Sequence, residues 1–288
     1  MRNIIDINSN DNTLFVTGQC NNRCLMCCQP PTKRNDIDFF YEQNIAMIKA
    51  APKNLSIIGI SGGEPTLLGN RFFELISIIR EYLPETTIHI LTNGRRFSNE
   101  IYAQRLGDIG RNNLLLGIPI HSESSIIHNI ISGDRNAFNE TIYGLYNLAA
   151  TDIPIELRVV VNNLNYKRLI QLSDFIFRNL SFVNCVSFMA MEHIGLAVKN
   201  TRQVWVEPIE YVSYLKEAVL FLNGWNIDVS VFNLPLCLLP CELHPFAQKS
   251  ISDWKNSYIE ICDNCVKKDD CCGLFSTSKK VFESLKAF

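Results

Sequence analysis

Short apolar runs alternate with amphipathic stretches along most of this chain. The apolar runs are rich in Ile, Leu and Val and predict buried strands at 13–17, 55–60, 87–91, 114–118, 155–161, 186–189 and 227–232. Between them, apolar residues at helical spacing predict helices at 38–51, 72–83, 100–106, 139–149, 167–179 and 209–222. Such alternation is typical of βαβ units around a parallel sheet. Since about six units fit, we predict an α/β fold, a partial (β/α)6 TIM-like barrel that is open on one side.

The regular pattern stops near residue 233, where proline and cysteine become frequent. Periodicity is weak from there to Phe275, and the segment is too short to bury an apolar core of its own. We therefore predict a core domain at 1–232 and a Cys-rich C-terminal extension at 233–288 that a metal site stabilises.

Charge and hydropathy exclude several classes of function. The 288 residues carry a formal net charge of −2, and their basic pairs are isolated, which predicts solvated surface charge and no nucleic-acid site. These pairs are Lys33-Arg34, Arg95-Arg96, Lys267-Lys268 and Lys279-Lys280. The first residues lack the apolar run of a signal peptide, and no stretch is apolar enough to span a membrane. We expect a soluble protein of the cytoplasm.

Eleven cysteines fall into two clusters, with only Cys185 standing apart. In a reducing compartment such numbers favour metal ligands over disulfides. The first cluster contains Cys20, Cys24 and Cys27 in a C-x3-C-x2-C pattern, directly after the first predicted strand and Gly18. Thiolates suit an iron–sulfur cluster or zinc, and three protein ligands leave one metal position open for a small molecule. A zinc loop and three unrelated core cysteines are the alternatives at this point.

The second cluster supplies four candidate ligands in the extension, namely Cys237, Cys262, Cys265 and Cys271. Four thiolates can form a closed zinc site or a fully ligated [4Fe-4S] cluster, and their spacing does not separate the two. Cys272 is an alternative to Cys271, because adjacent cysteines rarely bind one metal together. We expect Cys28 and Cys241 to be spare thiols.

The first cysteine loop resembles the C-x3-C-x-Φ-C motif of the radical SAM superfamily, with Met26 at the usually aromatic Φ position. In that family the three cysteines hold a [4Fe-4S] cluster whose fourth iron is chelated by S-adenosylmethionine (SAM). Two further motifs are similar to those of the family: Gly62-Gly63-Glu64-Pro65 after the second predicted strand, and Thr92-Asn93-Gly94 after the third. The resemblance implies that Glu64 holds the amino group of SAM, with Asn93 behind it. From the residues alone, each motif could equally be an ordinary turn.

The later strands match the family less closely. Pro119-Ile120-His121-Ser122 replaces the usual serine motif of the fourth strand, so a ribose contact would fall to His121 or Ser122. His121 is also a candidate general acid or base, and otherwise a turn residue. The resemblance implies that Arg158 faces the carboxylate or ribose of SAM, and that Val160 and Met189 contact the adenine. A salt bridge to Glu156 or Asp152 is the alternative for Arg158.

Several longer stretches resemble a subfamily, the radical SAM maturases of the His-Xaa-Ser system (HxsC). These stretches are 134–139, 189–195, 234–240 and 250–256. The resemblance implies an enzyme that cleaves SAM to a 5′-deoxyadenosyl radical and modifies a ribosomally made peptide, with an auxiliary [4Fe-4S] cluster in the extension. It further implies a precursor peptide, an electron donor and a second radical SAM maturase as partners. Because the first strand begins near residue 13, we expect no peptide-recognition domain before the barrel. A small heterocyclic substrate and a non-enzymatic zinc module are the alternatives.

Overall fold

The computed structural model describes residues 5–9, 12–110, 112–250 and 253–288. Ile251 and Ser252, which belong to the stretch 250–256 compared above, lie outside the described residues.

An eight-stranded sheet is the framework of the fold, and its strands follow one another in the hydrogen-bonded order β1 to β8. The strands are β1 Thr13–Phe15, β2 Ile57–Ser61, β3 Thr87–Leu91, β4 Leu114–Pro119, β5 Ile155–Val161, β6 Cys185–Ala190, β7 Asp228–Phe232 and β8 Ala247–Gln248. Strands β1 to β4 pair in parallel, as do β6 to β8. The parallel α/β architecture with two edge strands confirms the predicted open barrel topology.

Helices connect these strands. They are α1 Ile37–Ala50, α2 Asn70–Tyr82, α3 Glu100–Asp108, α4 Ser125–Ser132, α5 Ala137–Ala149, α6 Leu169–Asn179, α7 Leu196–Lys199, α8 Thr201–Val204 and α9 Pro208–Gly224. The six helices expected from periodicity, α1, α2, α3, α5, α6 and α9, are confirmed. Local chemistry sets their ends: the Asn99 side chain caps α3 by accepting from the Tyr102 amide, and Pro208 opens α9.

Helices α4, α7 and α8 and strand β8 are additions to the predicted pattern. Strand β8 contains only two residues, which is below the length at which alternation can be recognised. Helix α4 has eight residues and ends at Gly133, whose φ of 69° suits the left-handed C-terminal position of a helix.

The described chain divides into two compact units. The first comprises residues 1–23, 29–119 and 136–156, and the second comprises 24–28, 120–135 and 157–288. The predicted division at 232/233 stays a prediction.

In the first unit, fully buried isoleucines of β2 and β3 supply much of the core, including Ile58, Ile60, Ile88 and Ile90. In the second unit, α6 packs on α9, and the ring of Phe177 stacks on Trp225 with 4.3 Å between centroids.

The extension contains little regular structure. Besides β8, its described residues form a short antiparallel pair, β9 Asn256–Ser257 with β10 Leu274–Phe275, and several 3-10 turns. Each helix in the described ranges is too short or too polar to cross a bilayer.

Candidate active site and cysteine cavity

The end of β2 holds the chain that leads into the first cysteine loop. The Gly63 amide donates to Thr17 O at 2.6 Å, and the Glu64 amide donates to Gln19 O at 2.8 Å. A Cβ on Gly63 would lie 2.0 Å from Gln19 O, and one on Gly62, where φ is 152°, would lie 2.5 Å from Thr17 O. Only glycine permits this close approach of two backbones. The two glycines therefore position the cysteine loop against the sheet.

Glu64 joins the ends of β2 and β3. Its side chain is buried, and one oxygen accepts from the Thr66 amide at 3.0 Å, the Thr66 hydroxyl at 2.8 Å and the Thr92 hydroxyl at 2.6 Å. The other oxygen accepts from the Asn93 amide at 2.7 Å. Burial raises the pKa of Glu64, and these four donors oppose that shift. The carboxylate is thus fixed in place beside Pro65, which opens the buried turn after β2. The role of Glu64 toward SAM stays a prediction.

Cys20 lies among polar groups of the first unit. Burial raises the pKa of its thiol to about 11, and the negative charge of Glu64 adds to that rise. The Asn22 amide, which donates to Cys20 Sγ at 3.3 Å, lowers the pKa together with Asn93 and Arg95. Backbone N–H groups aimed at sulfur suit an iron–sulfur ligand, because such hydrogen bonds stabilise the thiolate and tune the cluster. Cys20 therefore fits its predicted role.

The structure corrects our interpretation of Arg95. Arg95 is buried, not solvated, and Arg95 Nη1 donates to Asn21 O at 2.8 Å and to Asn22 Oδ1 at 2.7 Å. Arg95 Nε donates to Glu140 Oε2 at 2.7 Å. A buried guanidinium requires several acceptors, and here the cysteine loop supplies two of them. Sequence reasoning missed the contact of Arg95 with the cysteine loop; its place directly after Thr92-Asn93-Gly94 was the available signal.

Cys24 and Cys27 belong to the second unit and lie on one tight turn. The Cys27 amide donates to Cys24 O at 3.0 Å, and Cys27 O accepts from the Leu196 amide at 2.9 Å. Gly195, at a φ of 60°, comes so close that a Cβ there would lie 2.5 Å from Cys27 O. The segment after β6 therefore supports the turn that carries both thiols.

Met26 points into a buried cluster of the second unit. It packs with Ile131 and Met191, and Val160 packs against the same cluster. Both predicted apolar contacts, Met26 and Val160, are therefore neighbours of the turn that carries Cys24 and Cys27.

His121 and Ser122 follow β4 and are both buried. Burial lowers the pKa of His121 to about 4, so its imidazole is neutral at physiological pH. The His121 amide donates to His128 Nδ1 at 3.2 Å, whereas His121 Nδ1 has no hydrogen-bond partner within the described chain. Ser122 Oγ contacts Glu123 Oε2 at 3.0 Å. His121 Nδ1 is therefore available to form a hydrogen bond with a ligand, whereas Ser122 Oγ already contacts Glu123.

Arg158 and Met189, both predicted to contact SAM, lie next to each other. Arg158 Nη2 is 3.3 Å from Met189 Sδ. Glu156, one of the alternative partners considered for Arg158, has its Oε2 atom within hydrogen-bond distance of His89 Nε2, at 3.1 Å.

The four candidate ligands of the extension line one cavity. Cys237, Cys262, Cys265 and Cys271 all line it, whereas Cys272 is buried and is not among the lining residues. Leu285, Lys286 and Phe288 at the end of the chain close another side. The predicted set of four thus lines one cavity, and Cys272 is not among its lining residues.

The donors around Cys271 suit a thiolate. Cys271 Sγ accepts from the Leu236 and Gly273 amides, each at 3.4 Å. The neighbouring Cys272 thiol, followed by these amides, lowers the pKa of Cys271 to about 6 despite its partial burial. Such a pocket fits a cluster or zinc bound through Cys271. Across the described residues no three His, Cys, Asp or Glu side chains converge closely enough to hold a single ion, so both ligand sets stay predictions.

Two curated relatives span much of this chain. It is 26% identical over 266 residues to the sporulation killing factor maturation protein SkfB of Bacillus subtilis, covering 84% of this chain and 63% of SkfB. It is 25% identical over 191 residues to GTP 3′,8-cyclase of Nautilia profundicola, covering 64% of this chain and 58% of the cyclase. The chain thus spans less than two thirds of the length of either relative.

Solved structures with this fold include Streptococcus suis SuiB bound to the precursor peptide SuiA. SuiB has a TM-score of 0.56 at 13% identity, with 76% of this chain and 48% of SuiB covered. The enzyme anSMEcpe with bound AdoMet has a TM-score of 0.60 at 21% identity, with 75% of this chain and 63% of that chain covered. At these identities the likeness shows the fold alone.

The family model of the radical SAM superfamily matches residues 14–176, which is more than half of the 288 residues. That range contains the cysteine loop, the Gly-Gly-Glu turn and the Thr-Asn-Gly turn. An enzyme of this type employs a [4Fe-4S] cluster and SAM, so the non-enzymatic alternative is wrong. The chain belongs to the radical SAM superfamily.

Proposed function

We propose that this enzyme uses radical SAM chemistry to modify a ribosomally made peptide. Cys20, Cys24 and Cys27 would hold the [4Fe-4S] cluster, with SAM bound beside it. When bound, the reduced cluster and SAM supply a 5′-deoxyadenosyl radical that removes a hydrogen atom from the substrate. The protein's task is to orient both reactants and to keep water out.

The residues around the strand ends divide this task. Glu64 offers a carboxylate, already held by four donors, to the ammonium group of SAM. Asn93 holds Asn21 of the cysteine loop through a 2.6 Å side-chain hydrogen bond. Arg158, Val160, Met189, His121 and Ser122 are the proposed contacts to the carboxylate, ribose and adenine of SAM.

The cavity lined by four cysteines is the observation that carries the proposal. It lies beyond the residues matched by the family model, so the superfamily core does not account for it. We assign Cys237, Cys262, Cys265 and Cys271 to an auxiliary [4Fe-4S] cluster, which would accept an electron from the substrate or anchor it. The similarity to a peptide maturation protein over 84% of this chain supports a peptide substrate.

The finer proposal is a precursor peptide with His-Xaa-Ser repeats. It rests on the stretches 134–139, 189–195 and 234–240, which resemble the His-Xaa-Ser maturases. A second radical SAM maturase and an electron donor are the proposed partners. The eleven free cysteines fit a reducing, cytoplasmic compartment.

Iron counting tests the two clusters. Anaerobically reconstituted enzyme should contain about eight irons per chain, and replacing Cys20, Cys24 and Cys27 by Ala should leave about four. Stoichiometric zinc without visible absorbance in the wild-type protein would contradict the proposal. Zinc confined to the extension, with about four irons retained, would contradict only the auxiliary cluster.

A small heterocyclic substrate is the second candidate, and the similarity to GTP 3′,8-cyclase favours it. SAM cleavage by the reduced enzyme separates the two. We expect a His-Xaa-Ser peptide to accelerate formation of 5′-deoxyadenosine and to undergo a mass change. If GTP accelerates cleavage and such peptides do not, the heterocyclic substrate replaces the peptide.

A further inference from the structure

Arg95 is held by three residues on two opposite sides of its guanidinium group. Its side chain is only 7% exposed, and Nη2 forms an ion pair with Glu140 Oε2 at 2.7 Å, the oxygen that also accepts from Nε. On the opposite side Nη1 reaches Asn21 O and Asn22 Oδ1. This arrangement uses the planar fork of a guanidinium, which a lysine cannot reproduce.

The hydrogen bonds of Arg95 control the chain next to Cys20. Asn21 is held by Arg95 through its carbonyl and by Asn93 through its side-chain oxygen, at 2.8 Å and 2.6 Å. Asn22 is held through its own side-chain oxygen, so its amide is directed at Cys20 Sγ, 3.3 Å away. The guanidinium thus places a hydrogen-bond donor on the sulfur and adds a buried positive charge near it.

Helix α5 supplies a rigid support for Arg95. A Cβ on Gly144 would lie 2.3 Å from Gly94 O, so the helix packs directly on the chain that leads to Arg95. The Thr141 hydroxyl donates to Asn93 O at 3.0 Å, one residue after Glu140. Glu140 therefore acts from a helix that is fixed to the end of β3, and such support is what keeps a site in its productive geometry.

We propose that Arg95, oriented by Glu140, is a positioning residue that raises the reduction potential of the radical SAM cluster through the Asn22–Cys20 hydrogen bond and its own charge. Reduction adds one negative charge to a cluster, so a nearby cation and a donor on sulfur favour the reduced form. The inference rests on the proposal that Cys20 is a cluster ligand, which the iron count of the cysteine variants tests separately.

Arg95→Met removes the positive charge and the forked guanidinium group but keeps a long, unbranched side chain. In a redox titration followed by electron paramagnetic resonance, the ratio of reduced to oxidised cluster at a fixed potential should fall about tenfold, which equals ~59 mV for one electron. Arg105→Met is the matched control, because Arg105 donates to Asn70 Oδ1 in an exposed contact and packs on Phe73. It loses the same charge from the same unit and should leave the ratio unchanged.

Glu140→Gln separates tuning from damage to the fold. The glutamine side chain keeps an oxygen for Arg95 and removes a negative charge, so the ratio should rise, by less than it falls in Arg95→Met because this carboxylate is 37% exposed. If the substitutions only loosened the loop, the ratio of reduced to oxidised cluster would shift in the same direction in both variants. An unchanged ratio in Arg95→Met with full iron content, or shifts of one sign in both variants, would overturn the proposal. If Arg95→Met does not fold, an unchanged ratio in Glu140→Gln overturns it instead.

Discussion

Gly63→Ala tests whether the end of β2 positions the cysteine loop. The new methyl carbon would lie 2.0 Å from Gln19 O and 2.5 Å from the Gln19 carbonyl carbon. Both are backbone atoms, so no side-chain rotation can relieve the contact, and the loop must move by about 1.5 Å to restore van der Waals distance. That movement displaces the segment that leads to Cys20 away from the sheet.

The cost follows from the contacts that are lost. Moving the loop breaks the hydrogen bonds from Gly63 to Thr17 and from Glu64 to Gln19, each of which contributes about 0.5–1.5 kcal/mol. Residual overpacking adds about 1–3 kcal/mol. We therefore expect a loss of about 2–6 kcal/mol in the free energy of unfolding.

Urea unfolding and iron content measure the effect together. Gly224→Ala is the control, because nothing lies within 4 Å of a Cβ at the last position of α9 and its backbone suits alanine. That variant should change stability by no more than about 1 kcal/mol. A Gly63→Ala protein with wild-type stability and full iron content would refute the reasoning, since the loop would then tolerate displacement from the sheet.

Three further predictions concern single side chains. Glu64→Gln should weaken SAM binding by about 1–3 kcal/mol in calorimetry while the cluster spectrum survives, and unchanged affinity would remove Glu64 from the site. Cys271→Ala should lower the iron count of the extension whereas Cys272→Ala should not, because only Cys271 reaches the cavity; the reverse outcome would move the assignment to Cys272. Folding lowers the pKa of His121 from 6.5 to about 4. Below pH 6.5 this histidine is therefore protonated in the unfolded chain but not in the folded chain. The free energy of unfolding should fall by up to roughly 3 kcal/mol as the pH approaches 4. Urea midpoints at pH 7 and pH 5 should therefore differ less in His121→Gln than in the wild type, and equal differences would place the proton elsewhere.

The strands and long helices were predictable because their apolar spacing reflects burial. Helix α4 was not, since its eight residues follow proline and histidine and give barely two turns of periodicity. The two-residue strand β8 is defined by its pairing with β7, which no local pattern encodes.

In the candidate site, too, the features that depend on sequence spacing were predictable, and those that depend on tertiary contacts were not. The four cysteines of the extension were predictable from their spacing, and the choice of Cys271 over Cys272 is supported by a cavity that they line. The role of Arg95 was missed because adjacent basic residues normally indicate a solvated surface. Its acceptors, Asn21, Asn22 and Glu140, are far away in sequence and meet it only in the folded chain.

Hydrogen transfer from substrate to SAM tests the central claim most directly. Reduced enzyme would be incubated with SAM and a His-Xaa-Ser peptide carrying deuterium on its side chains, and the 5′-deoxyadenosine would be analysed by mass spectrometry. We predict that deuterium appears in 5′-deoxyadenosine and that the peptide shows a matching loss of hydrogen or a new crosslink. Peptide-independent cleavage with no deuterium in 5′-deoxyadenosine, while GTP is converted, would contradict the account.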